Sequence, residues 1–507
     1  MHIIKVKVMK LTTLFILFSL CAITSNAQHS WLTKKQVTED LEFLSNTLDE
    51  KSSYAYLNGF DFNKDFENYL NVVEDSIRLE DFGLFLTNTL AKIGDRHSSL
   101  NRIRGYELNE SLFLPFIYAP LNDKVTVLKK SDDLEVLNPA FPYIKKIDNI
   151  PIKHFLHKIR PEDIQAPKKT HFTYAVRDIR DIEKNYILLN RKLPAELTLT
   201  LSDSTLKNDT VLTVSVVEKL NRQRPWDEKF EVDYLFVQDE DYNKPEIIEK
   251  LLNKEHDIAY IKIPAMISRS KAPLFFDSLN SFIKSIHSDS EALIIDVRAN
   301  YGGTRDLMYE FAKYLIHPDS IFIINAAKQR GPLPLPEEYI KSLHNRFLFS
   351  FSELDTIEQK KATKFLKTFN PMYALDKNKY SEYYFGIFNG TKLANPDFYY
   401  DKPVYILANE KTFSAASVFV SAFKGLPNIN IVGVTTDGSS GNSEWIDLPN
   451  SKLFFKISTM VSFQKNGEIF DGFGTDPDIQ IERDLKQILW RTDTQLEYLH
   501  NLILNNN

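Results

Sequence analysis

From Asp257 onward, short apolar runs alternate with longer segments of helical period, and this alternation narrows the fold more than any other feature of the chain. Ile258 to Ile263, Ala292 to Val297, Ile321 to Ile324, Val404 to Ala408, Ile429 to Val434 and Leu453 to Ser458 read as strands. Helices are expected near Leu274 to Ile286, Asp306 to Leu315 and Ser414 to Phe423. Alternation of this kind predicts an α/β layer architecture. The stretch around 327–402, rich in aromatic, Pro and Lys residues, interrupts the pattern. It is expected to be an inserted cap and a candidate wall for a substrate cleft.

The first half of the chain has a different texture. Val37, Leu41, Leu44, Leu48 and then Phe82, Phe85 and Leu90 recur at helical spacing, which predicts about three packed helices ending at Gly94 and Asp95. Short β-rich runs follow at Lys124 to Lys129, Tyr143 to Ile147, Tyr186 to Leu189, Glu196 to Leu201 and Val211 to Val217. At the amino terminus Lys5, Lys7 and Lys10 precede the apolar run Leu11 to Ile23 and a small-residue stretch ending at Ala27. This reads as a secretory signal over residues 1–27, because the run falls short of the roughly 20 residues of a spanning helix. Cys21 is the only cysteine, and Leu20 rather than a small residue precedes it, which weakens lipidation there. A chain cleaved after Ala27 has no thiol for disulfides, catalysis or metal ligation.

Composition excludes some function classes. With 43% hydrophobic and 26% charged residues over 507 positions, the chain can bury large cores and divide into two or three domains. A net charge of -6 offers no field to attract nucleic acid or an anionic membrane. No Walker loop, His-Glu-x-x-His pair or metal-spaced cluster is present, so neither nucleotide, cofactor nor metal is implied. Oligomeric state is not legible.

Two segments carry candidate chemistry. In Pro403-Val-Tyr-Ile-Leu-Ala-Asn-Glu-Lys-Thr-Phe-Ser-Ala-Ala-Ser417 an apolar strand turns into a small-residue helix, with Ser414 at the turn. Free N–H groups and the helix dipole favour negative charge there, as an acyl-transfer nucleophile requires. A plain helix N-cap is the competing reading. In Ala292-Leu-Ile-Ile-Asp-Val-Arg-Ala-Asn-Tyr-Gly-Gly-Thr304 a strand ends in a Gly-Gly turn. The N–H of Gly302 or Gly303 could join that of Ala415 in an oxyanion hole, while Asp296 and Arg298 read as residues that fix the turn.

Asp296-x-Arg298-x-Asn300-x-Gly-Gly303, Thr412-Phe-Ser-Ala-Ala416 and Gly472-Phe-Gly-Thr-Asp-Pro-Asp478, in that order, resemble the signature of the C-terminal-processing, or tail-specific, serine peptidases and their tricorn relatives. Gly94-Asp-Arg-His-Ser98 resembles the Asp-x-His motif that closes the family's amino-terminal helical domain. The resemblance implies a Clp protease/crotonase-type α/β core over 226–485, a helical domain over 28–110 and a terminal helix over 486–507. It also implies a small β-rich, degenerate PDZ-like module over 111–225, with Phe141 to Ile152 resembling a PDZ strand pair that lacks the usual glycines. In the serine-lysine branch a lysine follows the nucleophile helix, but Ser439 stands there, and no lysine occurs from Val434 to Trp445. The serine-histidine, tricorn-like branch fits instead, and it implies Ser414 as nucleophile, His97 as base and Asp471 as the acid orienting it. The family more often carries Glu at that last position, so Glu444 and Glu468 stay open as alternatives. The substrate implied is an unfolded peptide or protein tail outside the cytoplasm, with no nucleic acid and no lasting membrane span. An inactive binding protein on the same scaffold is the rival reading, followed by an acyl-CoA-type enzyme, for which no basic nucleotide site is visible. A His97 base beside a carboxylate is expected to titrate between roughly pH 6 and 7.5.

Overall fold

The computed structural model describes residues 31–101, 112–160, 166–227, 239–393 and 398–506. The signal-like segment 1–27 and Cys21 lie outside the described residues. No helix among those described is long and apolar enough to cross a membrane.

The alternating half of the chain builds a six-stranded sheet in the order Leu252–Glu255, Ile258–Lys262, Ala292–Asp296, Val404–Ala408, Ile429–Gly433 and Ile479–Gln480. Its neighbours pair in parallel except for the first strand, which is antiparallel. Ala292–Asp296 is buried at every position, as a parallel strand covered on both faces must be. The helices Pro273–Asp289, Asp306–Leu315 and Ala415–Phe423 bury their apolar faces in the largest core cluster, against the strand residues Ile261, Ile295 and Ile406. Because the strands run parallel, their carboxyl ends meet on one edge, where an α/β sheet places its ligand-binding loops.

At that edge the strand ends are locked by charge. Asp296 Oδ2 lies 3.0 Å from Lys262 Nζ and 2.7 Å from Arg298 Nη2, all three side chains being fully buried. Arg298 also reaches Asp493, ahead of the terminal helix Thr494–Asn506. Burial alone would raise the pKa of Asp296, but Arg298 and Lys262 outweigh it and hold the carboxyl well below its usual range. Two cations against two carboxylates keep this buried network near neutral, which is the condition for tolerating it.

The stretch around 327–402 is more than an inserted cap. Its strand Tyr384–Asn389 pairs with Ile321–Gln329 inside a four-stranded antiparallel sheet completed by Phe349–Ser350 and Met460–Phe463. Every residue of Tyr384–Asn389 is buried, so the segment supplies core, and Leu343 of the helix Glu337–His344 and Ala362 of the helix Thr356–Thr368 join the clusters around Tyr384 and Phe385.

Upstream, the helices Lys34–Lys51, Phe62–Val72 and Leu79–Lys92 pack together and against the strand residues Phe455 and Ile457. A seven-stranded antiparallel sheet follows, whose main path runs Asp209–Ser215, Glu196–Ser202, Tyr143–Ile147, Lys124–Lys130, Ile117–Leu121. Tyr186 to Leu189 is a correction to the sequence reading, since Ile182–Leu188 is a helix. Its apolar residues Ile182 and Tyr186 are four apart and both buried, so a helical period was mistaken for a short apolar strand.

Candidate active site

The segment after Val404–Ala408 and the segment after Ala292–Asp296 are stitched together before the nucleophile is reached. Thr412 Oγ1 donates to the carbonyl of Val297 at 3.0 Å, Asn409 Oδ1 accepts from Ala299 N–H at 2.9 Å, and Phe413 N–H donates to the carbonyl of Asn300 at 2.8 Å. Glu410 is fixed from behind by Arg483, whose Nη2 meets both carboxylate oxygens, and by Thr173 Oγ1 at 2.8 Å. Burial works against that carboxylate, yet Arg483 holds its pKa down to about 2.

Held between these loops, Ser414 adopts φ 55° and ψ -124°. A residue with a Cβ pays roughly 1–3 kcal/mol to stay in such a region, so the turn is imposed by its surroundings. Its side chain makes no capping hydrogen bond, which disposes of the simple N-cap. Oγ lies instead 3.3 Å from His97 Nε2.

His97 arrives from 317 residues away, and tertiary pairing puts it there. The short strand Ser99–Asn101 that follows it pairs with Phe454–Ser458, matching Ser99 with Lys456 and Leu100 with Phe455. Ser98 Oγ accepts from Ser458 N–H at 3.0 Å, and the N–H groups of His97 and Ser98 both donate to Asp95 Oδ1. The imidazole stacks on Phe413, the residue before the nucleophile, with centroids 5.0 Å apart.

Asp471 is close but makes no hydrogen bond to the ring. Its oxygens accept from the Tyr54 hydroxyl at 3.0 Å, from Arg96 N–H at 3.3 Å and more weakly from Ser440 N–H at 3.5 Å. It therefore clamps the backbone one residue before His97. His97 Nδ1 is buried and takes no partner among the described residues. The two alternative acids are engaged elsewhere: Glu444 by Lys51 and Tyr339, Glu468 by Asn466.

The N–H groups of the two glycines differ. Gly302 N–H donates to Asn300 Oδ1 at 2.8 Å, which corrects the expectation that it is free for an oxyanion. Gly303 N–H and Ala415 N–H take no acceptor among the described residues. Gly302 instead provides space, since a Cβ on it would stand 2.7 Å from that of Ser414.

Sequence reasoning passed over the electrostatics behind His97. Asp95, Asp437 and Asp471 are all buried there. Burial, with help from Asp471, pushes Asp95 up to about 7; burial pushes Asp437 up to about 6 against the pull of Arg96; burial also raises Asp471. Arg96 Nη1 stands 3.1 Å from Asp437 Oδ2, a contact of charges that lacks hydrogen-bond alignment. Burial, followed by the positive charges of Lys456, Arg96 and Arg346, lowers His97 to about 3. The expected titration between 6 and 7.5 rested on a carboxylate touching the ring, and desolvation prevails because none does. Asp95 was visible inside the Gly94–Ser98 motif, but Lys456 and Asp437 carried no local signal.

Residues 257–481 match the profile described as Peptidase family S41. The chain carries a peptidase family S41 domain. Ser414, both glycines and Asp471 fall within the matched residues and His97 outside them. An uncharacterized protein of Chlamydia muridarum (strain MoPn / Nigg) is 23% identical over 271 residues, 47% of this chain and 43% of that protein. The chain thus matches less than half the length of that relative. The fold is similar to that of mature CPAF complexed with lactacystin, with a TM-score of 0.62 and 17% identity over 94% of this chain and 99% of that one. The crystal structure of mature CPAF gives 0.63 at the same identity, over 94% and 98%.

Proposed function

We propose that this protein is an exported serine peptidase that cleaves peptide bonds of unfolded peptides or protein tails through an acyl-enzyme. One observation carries the reading: a strained serine at a strand-to-helix turn has its hydroxyl 3.3 Å from a histidine delivered by a separate part of the chain. Ser414 Oγ attacks the peptide carbonyl as His97 Nε2 takes its proton, and the imidazolium returns that proton to the leaving amine. Water, deprotonated by His97, then releases the acid and regenerates Ser414. The N–H groups of Ala415 and Gly303 receive the developing oxyanion. Asp471 acts on His97 through the Arg96 backbone, as a positioning residue.

Export rests on the amino-terminal pattern Lys5 to Ala27, and the tail-processing substrate on the motif resemblance. The antiparallel sheet around Tyr143–Ile147 and Ile150–Pro151 would serve as a degenerate PDZ-like module. The bare Nδ1 of His97 favours the rival, a scaffold that binds peptide without cleaving it. A fluorophosphonate separates the two: it should label the wild type at Ser414 and leave Ser414→Ala unlabelled. An unlabelled wild type would make the protein a binding scaffold.

A neutral base at rest gives a second expectation. The Cε1 proton shift of His97 should stay at its neutral value down to below about pH 5, because the imidazole is active when deprotonated and its pKa is displaced downward to about 3. Activity governed by His97 is lost only as pH falls through that lowered value. A titration of this resonance between 6 and 7.5 would contradict the burial argument. Asp471→Asn should lower kcat by roughly 100-fold with substrate binding unchanged, since it loosens the backbone of the base and removes a nearby carboxylate. An unchanged kcat would take Asp471 out of the site.

A further inference from the structure

The helix Lys168–Asp178 lies between the antiparallel strands Ile150–Pro151 and Glu196–Ser202, far in sequence from both Ser414 and His97. It nevertheless touches both segments that carry them. Thr170, Thr173 and Tyr174 follow one another at i, i+3 and i+4, which puts them on one face of the helix. That face meets the Ser414 segment at Glu410: Thr170 Oγ1 donates to the Glu410 carbonyl at 3.2 Å and Thr173 Oγ1 to Glu410 Oε1 at 2.8 Å. It meets the His97 segment at Arg96, whose guanidinium carbon stands 4.6 Å from the centroid of the Tyr174 ring. Thr170 and Thr173 are buried and the Arg96 side chain is only 10% exposed, so both contacts are largely shielded from water.

The Arg96 guanidinium has little else to fix its orientation. Its Nη1 stands beside Asp437 without hydrogen-bond alignment, so charge draws it there but does not set its plane. A guanidinium over an aromatic ring is attracted by the negative face of that ring, and the attraction grows as water is removed. Arg160 and Arg177 also approach the Tyr174 ring, at 5.3 and 6.0 Å, and Arg96 is the nearest of the three. The strand after His97 belongs to the three-stranded sheet, whereas Ser414 follows the strand Val404–Ala408 of the six-stranded sheet. An element in contact with both segments constrains how far apart the two side chains stand.

We infer that the Thr170, Thr173 and Tyr174 face of this helix sets the separation of His97 and Ser414, and that Tyr174 is a positioning residue acting through Arg96. The inference rests on the peptidase reading of that pair. Arg96 directly precedes His97 and Glu410 lies four residues before Ser414, so a shift at either contact is passed to the reacting atoms through a short length of backbone. A loss of alignment there slows the chemical step and leaves substrate binding in place.

Tyr174→Leu should lower kcat on dye-labelled β-casein, an unfolded protein, by at least about 10-fold, with KM within about 2-fold of wild type. Tyr174→Phe keeps the ring and should bring kcat back to within about 3-fold of wild type. Arg96→Met should also lower kcat, and the double variant should be no slower than the slower single, because both changes remove one contact. In a crystal structure of Tyr174→Leu, His97 Nε2 should stand more than about 4 Å from Ser414 Oγ. That distance needs no turnover, so it decides the inference separately from the peptidase reading, on which fluorophosphonate labelling of the wild type reports. If Tyr174→Leu does not fold, Tyr174→Met, which fills the space without an aromatic face, takes its place in every measurement. Wild-type kcat in the Leu or Met variant, a Phe variant as slow as either, multiplying losses in the double variant, or a separation still at 3.3 Å would overturn the inference.

Discussion

Ser414→Ala is expected to lower peptide hydrolysis by at least about 10⁴-fold, to the residual level left by substrate binding and the oxyanion donors alone. The fold should be unaffected, because the Ser414 side chain caps nothing and only meets His97. Alanine keeps the Cβ and hence the strain of φ 55°. Ser414→Gly removes both hydroxyl and Cβ, and should be equally inactive yet more stable than the alanine variant by about 1–3 kcal/mol. Steady-state rates on a peptide library, with thermal unfolding of the three proteins side by side, check both statements. Turnover above that residual level in either variant would remove Ser414 from the mechanism. Equal stability of the two would mean that the backbone at 414 is not strained.

The second large effect is expected at Gly303. Its φ is 142°, and a Cβ there would stand 2.1 Å from the carbonyl oxygen of Met266. That oxygen cannot retreat, since it accepts from Thr304 N–H at 2.7 Å while Met266 N–H donates to Gly302. Gly303→Ala must therefore rotate the peptide that carries one of the two N–H groups proposed for the oxyanion. Losing one oxyanion donor costs roughly 10²–10³ in kcat. The clash adds a destabilisation of about 2–4 kcal/mol. Gly59 provides the control, with φ 81° and nothing within 4 Å of an added Cβ. Gly59→Ala should cost about 1 kcal/mol and leave the rate unchanged. Full activity in Gly303→Ala would show that this N–H faces no oxyanion.

Local signals in the chain determined a good deal. A strand buried on both faces is apolar along nearly its whole length, as Ala292–Asp296 is up to its final aspartate, so the α/β layer and its flanking helices were legible from periodicity. The turn at Ser414 and the paired glycines were legible because positive φ and a polar break at a strand end leave a mark on residue choice. The same local logic failed at Tyr186, where one helical turn resembled a strand, and around 327–402, where a core strand was hidden among aromatic residues. Tertiary structure alone decided how the site is completed. It set His97 against Ser414 by pairing Ser99–Asn101 with Phe454–Ser458, and it occupied Gly302 N–H with Asn300. It turned Asp471 toward Tyr54 and Arg96, and it gathered Asp95, Asp437 and Lys456 behind the imidazole. Hydrogen-bond partners and desolvation belong to a three-dimensional neighbourhood assembled from segments hundreds of residues apart. Residue types and spacing therefore pointed to the candidate groups of the site, while their protonation states and their partners were fixed by burial.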